Sequence, residues 1–152
     1  MDAIEEVIPK FTGKIMQIPP IYSALKKNGK KLYEEARAGK TAEELGIEAR
    51  EVTIYDLKLL PTDEKGEGLP SFGLDVECGG GTYIRSLVRD MGLELNTCAT
   101  MTSLVRTQQA QFILDNTIEK EDLSADAIFA AIDKTNAEMK DNNDDNGAED
   151  GA

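Results

Sequence analysis

Apolar residues recur along this chain at spacings of three and four in some stretches and of two in others, and the alternation between the periods sketches its elements. Ala3, Ile4, Val7, Ile8 and Phe11 share one helical face, so residues 1–11 are expected to form a short amphipathic helix. Over 15–22 the Pro19-Pro20 pair excludes a continuing helix and favours extended chain leading to Ser23. Asn28-Gly29 is a turn signal, and 32–39 reads as a short helix stopped by Gly39. Val52, Ile54, Leu57 and Leu59 around Tyr55 predict a strand over 51–60, and Phe72, Leu74 and Val76 predict another over 71–77. The intervening loop, 61–70 with Gly66 and Gly68, makes an antiparallel pair the simplest arrangement. Tyr83, Ile84, Leu87, Val88, Met91 and Leu95 then mark one face of a central helix. Beyond it, 100–107 reads as a strand or turn, 111–114 as a short strand and 124–133 as a last helix. From Lys140 only polar and small residues remain, and 138–152 is expected to be a disordered acidic tail. There is no internal repeat and no sign of a second domain.

The 152 residues suffice for one domain with a real core. No run of about 18 apolar residues could span a bilayer, and the N-terminus lacks the pattern of a secretory signal. The expectation is a soluble, intracellular chain with no membrane partner. Cys78 and Cys98 make neither a disulfide framework nor a C-x-x-C pair; Cys78 is expected to be a small buried residue at a strand end and Cys98 a buried or half-buried thiol, both chemically idle. The chain has no histidine, which removes Ser-His and Cys-His nucleophile pairs and His-ligated zinc. Chemistry here must use carboxylates, hydroxyls, Tyr, Lys or Arg.

A net charge of −12 argues against a nucleic-acid partner until the charges are placed. From Lys10 to Lys40 there are eight basic residues against two acids, Glu34 and Glu35, a local balance of +6. That stretch suits either phosphate contact or a solvated surface. The run Cys78-Gly-Gly-Gly-Thr-Tyr-Ile-Arg-Ser-Leu87 leads a strand into the central helix. Its glycines allow positive φ and close ligand approach, and the helix start beyond them could offer free N–H groups to an anion. An ordinary strand-to-helix turn would use the same residues.

Four ordered blocks raise the specificity. They are 11–26 (FTGKIMQIPPIYSALK), 29–39 (GKKLYEEARAG), 78–87 with Asp90 and Gly92, and Leu104-Val-Arg106 ahead of Phe112. Together they resemble the TruB family of tRNA pseudouridine synthases, and the Cys-Gly-Gly-Gly form is similar to its eukaryotic members. The resemblance implies an α+β fold: a mixed, mainly antiparallel sheet with flanking helices, as part of a pseudouridine synthase-like catalytic core. It implies isomerisation of a T-loop uridine of tRNA by a nucleophilic aspartate, without cofactor or metal. It assigns Tyr83 to the flipped base as an aromatic contact, Arg85 to the catalytic aspartate as its ionic partner, and Leu104 to the lining of the base pocket. It also makes residues 19–40 an inserted element that grips the T stem-loop, with Tyr22, Lys26, Lys27, Lys30, Lys31 and Arg37 as RNA contacts. Tyr33 and Tyr55 are expected to be packing residues, and Tyr22 to pack with its hydroxyl at the RNA-facing edge.

One departure is large. The family's aspartate sits in a Gly-x-Leu-Asp-Pro-like motif upstream of these blocks, and this sequence contains none. Residues 1–137 therefore read as the C-terminal part of a catalytic domain, cut from something longer. The expectation is a chain inactive alone, with an N-terminal half chain as partner and a monomer once complete. Two other readings stand beside it: a catalytically inactive RNA-binding fragment, and a relative of the guide-RNA-dependent synthases. The Pro-Pro-Ile-Tyr-Ser-Ala-Leu-Lys block favours the stand-alone tRNA type. Nucleus, cytoplasm and organelle are equally open to it.

Overall fold

Ile4 and Val7 are buried on one face of helix α1 (Asp2–Val7), but the stripe that runs on to Phe11 does not stay α-helical. Pro9, at the start of the next element, lacks an N–H, and the chain tightens into a 3-10 turn over Ile8–Phe11. The structure is a computed structural model that describes residues 2–61 and 70–145, with side chains up to 137. Most of the expected 61–70 loop, and the end of the expected tail from 146, lie outside the described residues. Two compact units are present, Met1–Thr102 and Ser103–Ala152.

In the first unit β1 (Gly13–Gln17) carries Gly13, Ile15 and Gln17 on its inner side and Lys14 and Met16 outside. The next two strands, β2 (Lys26–Lys27) and β3 (Lys30–Lys31), form a hairpin. Asn28 and Gly29 both have positive φ, 53° and 81°, which is the two-residue turn whose twist matches its strands. Helix α2 (Leu32–Arg37) follows at once and ends before Gly39, whose φ of +89° reverses the chain.

Val52, Ile54, Leu57 and Leu59 cannot face one way on a regular strand, because the step from 54 to 57 is odd. Strand β4 (Arg50–Leu59) resolves this with a bulge between Ile54 and Asp56, which restores the inward phase for Leu57. Tyr55, next to the inward Ile54, faces outward with 61% exposure, so it is not the packing residue expected. Antiparallel β5 (Leu74–Cys78) completes a sheet in the order β1-β4-β5. Residues 71–73 stand outside the strand, although the Leu60 N–H still bonds the Gly73 carbonyl.

Helix α3 (Ile84–Glu94) presses Leu87 and Met91 into the core beside Ile4, Val7, Ile54 and Leu57. The chain after α3 crosses it at Gly92, where an added Cβ would lie 2.6 Å from the Ala99 nitrogen. Cys98, beside that close approach, is exposed, contrary to the expected buried or half-buried thiol, and Cys78, expected to be buried, is half-buried at the end of β5.

The second unit holds a short hairpin, β6 (Gln108–Gln109) with β7 (Phe112–Ile113), and helix α4 (Ala125–Asp145). Residues 100–107 form no strand until the hairpin begins, since among the described residues none lies alongside to complete a ladder. Ser124 caps α4 through its hydroxyl, which accepts the Ala127 N–H. The helix continues to Asp145, past the point where composition predicts disorder; no Gly or Pro stands before Gly147 to stop it. The α+β class and the mainly antiparallel sheet are as expected.

Candidate nucleic-acid interface

Two chain segments far apart in sequence meet at the start of α3. The first glycine of the run extends the sheet: the Gly79 N–H bonds the Thr53 carbonyl at 2.8 Å, and a Cβ there would stand 3.3 Å from the Tyr55 hydroxyl. Gly81 has a φ of +85°, a conformation that favours glycine, and the Thr82 hydroxyl closes the turn on the Gly79 carbonyl at 2.8 Å. This geometry delivers Tyr83, half-buried, to the position just before the helix.

One N–H at that helix start, that of Tyr83 just before the first helical residue, is occupied. Gln17, 2% exposed at the inner end of β1, accepts the Tyr83 N–H on its Oε1 at 2.8 Å. A neutral amide oxygen thus faces that N–H. The next residues continue the seam. The buried Ser86 hydroxyl donates to the Ile18 carbonyl at 2.8 Å, the Arg89 guanidinium donates to the same carbonyl at 3.2 Å, and Arg85 Nη2 donates to the Tyr22 carbonyl at 2.9 Å. Arg89 also pairs with Asp90 at 2.7 Å. The acceptors here are backbone carbonyls of the extended segment and the donors are side chains of the helix. Four side-chain hydrogen bonds thereby bind the 17–22 segment to the first turns of α3.

The structure therefore brings Tyr83, Arg85 and Tyr22 to one junction. Tyr22 is 56% exposed, so its ring is not the packing residue expected. Arg85 is exposed and pairs with no carboxylate among the described residues. Leu104 belongs to the other unit, where it is 56% exposed. Gln17, Ser86 and Arg89 were missed by sequence reasoning. Gln17 had a signal, a polar residue on the inward phase of β1 in line with Ile15.

Immediately beyond Tyr22 stands the lysine hairpin. Its two cross-strand pairs are both like-charged, Lys26 opposite Lys31 and Lys27 opposite Lys30. Such pairs are destabilising without a compensating anion. Some compensation is internal. The Lys27 ammonium donates to the Gly46 carbonyl, and Lys30 and Lys40 both pair with Glu35. Lys31 bonds the Tyr33 hydroxyl at 3.3 Å, and Lys31 and Arg37 both lie over the half-buried Tyr33 ring, at 5.4 and 5.5 Å from its centroid. The hydrogen bond and charge of Lys40, helped by Lys30, hold the Glu35 carboxyl below its usual range. Among the described residues no group of His, Cys, Asp or Glu is clustered to hold a metal ion, and no helix is long and apolar enough to cross a membrane.

The fold is that of a pseudouridine synthase core: the chain resembles a chain in the crystal structure of a Cbf5-Nop10-Gar1 complex with a TM-score of 0.58 at 28% identity, over 80% of this chain and 30% of that one. Residues 1–84 match the family described as TruB family pseudouridylate synthase (N terminal domain). The chain belongs to the TruB family of pseudouridine synthases. It is 50% identical to the mouse (Mus musculus) pseudouridylate synthase TRUB1 over 111 residues, 73% of this chain and 31% of that protein. It is 48% identical to the human (Homo sapiens) TRUB1 over 119 residues, 78% of this chain and 32% of that protein. It is also 48% identical to the tRNA pseudouridine synthase B of Synechocystis sp. over 116 residues, 76% of this chain and 38% of that protein. The chain thus spans about a third of the length of the curated relatives it matches.

Proposed function

We propose that this chain is the RNA-facing part of a tRNA pseudouridine synthase of the TruB type, which isomerises a T-loop uridine. The reaction detaches the uracil from its sugar and rejoins it through a ring carbon, so product and substrate contain the same atoms and no cofactor or metal is called for. Tyr83 supplies the aromatic face for the flipped base, and Leu104 an apolar wall. Arg85 is the partner of a nucleophilic aspartate, keeping it ionised by an opposite charge close by. That aspartate comes from a Leu-Asp-Pro-like motif outside this sequence, on an N-terminal half that acts together with these residues. The 19–40 insert, with Tyr22, Lys26, Lys27, Lys30, Lys31 and Arg37, grips the T stem-loop, and the complete enzyme works inside the cell as a monomer.

The observation that carries this reading is the Arg85 to Tyr22 hydrogen bond at 2.9 Å, which ties the residue assigned to the carboxylate to the root of the lysine hairpin. A hairpin of like-charge pairs is a natural receiver of phosphates, which would relieve its repulsion. Identity of 48–50% to proteins named TRUB1 and tRNA pseudouridine synthase B, against 28% to the Cbf5-Nop10-Gar1 structure, favours the tRNA enzyme over a component of such a complex. A binding titration tests the reading: a T stem-loop transcript should bind the chain more tightly than an unstructured RNA of equal length and release with rising salt. Equal affinity for both, or none, would overturn it.

A further inference from the structure

We propose that Glu35 is a positioning residue, a carboxylate that holds the lysine hairpin in its RNA-gripping shape; this rests on the RNA reading above. In a chain of 29 acidic residues only two, Glu34 and Glu35, fall between Lys10 and Lys40. Neither is idle surface. Glu34 accepts the Lys31 backbone N–H at 3.3 Å and so caps the start of α2. Glu35 has a side chain only 12% exposed, while the two lysines it engages are 71% and 50% exposed.

The carboxylate reaches in two directions. One oxygen lies 3.5 Å from the Lys30 ammonium on β3, and the other accepts from Lys40, beyond the Gly39 reversal. Its backbone carbonyl accepts the N–H groups of Ala38 and Lys40, at 3.1 and 3.2 Å, so the return of the chain is fixed twice over. Glu35, Lys30 and Lys40, with Lys27, Asn28, Glu44, Leu45 and Gly46, surround a cleft of about 320 Å³. Three ammonium groups line it, and Glu44 is the other acid there. Glu44 is engaged with the 41–44 turn, where it accepts the Thr41 N–H at 2.8 Å. Without Glu35 the mutual repulsion of Lys27, Lys30 and Lys40 would open the cleft and splay the hairpin away from the chain at 40–46.

Charge and position make opposite predictions for RNA affinity, and this makes the role testable. Affinity of the chain for a T stem-loop transcript would be measured by fluorescence anisotropy for wild type, Glu35→Gln, Glu35→Asp, Lys40→Met and the double variant Glu35→Gln/Lys40→Met. If Glu35 were only a negative charge near phosphates, Glu35→Gln would bind more tightly and the charge-balanced double variant would match wild type. As a positioning residue, Glu35→Gln should bind about fivefold more weakly. The double variant should then be about as weak as the single one, because both changes break one clamp. Glu35→Asp, which keeps the charge, should recover part of the loss. Affinity of Glu35→Gln at or above wild type, or a wild-type double variant, would overturn the proposal. Wild-type affinity indifferent to salt would instead remove the RNA reading itself, before any Glu35 variant is compared.

Discussion

The junction at the start of α3 and the hairpin that follows Tyr22 are neighbours built on different physics. The junction is made of side chains bonded to backbone around two buried groups: Gln17 and Ser86 are 2% and 1% exposed, and each holds a partner 66 or 68 residues away. The hairpin is made of exposed charge, with lysines facing lysines across the ladder. Buried polar groups lose the full desolvation term when a partner is removed, whereas exposed ion pairs are screened and worth little. The contrast assigns the junction to geometry and the hairpin to attraction. Changes in the first should act on folding and turnover, and changes in the second on affinity and its response to salt.

The largest effect is expected at Arg85. In a protein that also carries the nucleophilic aspartate, Arg85→Ala should lower turnover by more than about a hundredfold, while T stem-loop affinity stays within about tenfold; a loss confined to binding would move Arg85 to the hairpin's side of the comparison. Gly92→Ala comes next. An added methyl would meet the Ala99 nitrogen at 2.6 Å, so the variant should lose about 1–3 kcal/mol in denaturant unfolding. Gln17→Met, close in volume, should lose about 1 kcal/mol and speed exchange of the Tyr83 amide proton, its cap being gone. The smallest effect on stability belongs to Lys26, Lys27, Lys30 and Lys31 replaced together by Ala. Melting should scarcely change, because the removal of ion pairs and the relief of repulsion offset each other. The log-log salt slope of RNA binding should flatten by roughly one unit for each phosphate that is no longer neutralised. A large drop in melting with an unchanged slope would invert the comparison.

Local rules carried most of the fold from sequence. Asn28-Gly29 specified its turn, Gly39 its helix end, and Leu87 and Met91 the buried face of α3, because each depends on residues close in the chain. The misses share a cause. Tyr55 sits at a bulge on the outer side of the inward Ile54, and only the odd 54 to 57 step signalled it. Residues 100–107 read as a strand or turn from apolar content, yet a strand exists only where a neighbour completes its ladder. Cys98 is exposed beside the close approach of Gly92 and Ala99. At the site, Tyr83, Arg85 and the lysines could be named from motifs. The seam that joins them could not, since Gln17, Ser86 and Arg89 act on carbonyls and amides more than 60 residues away.

If Tyr83 and Arg85 form half of an active site, the other half must bring the nucleophile. Pseudouridine formation on a T-arm transcript distinguishes the two halves, by comparing this chain alone with the chain joined to a family segment bearing the Leu-Asp-Pro motif. The expected outcome is no product from the chain alone and product from the joined protein, abolished again by Arg85→Ala. Product from the chain alone, or a joined protein that binds the transcript and leaves its uridine unchanged, would contradict the half-site assignment.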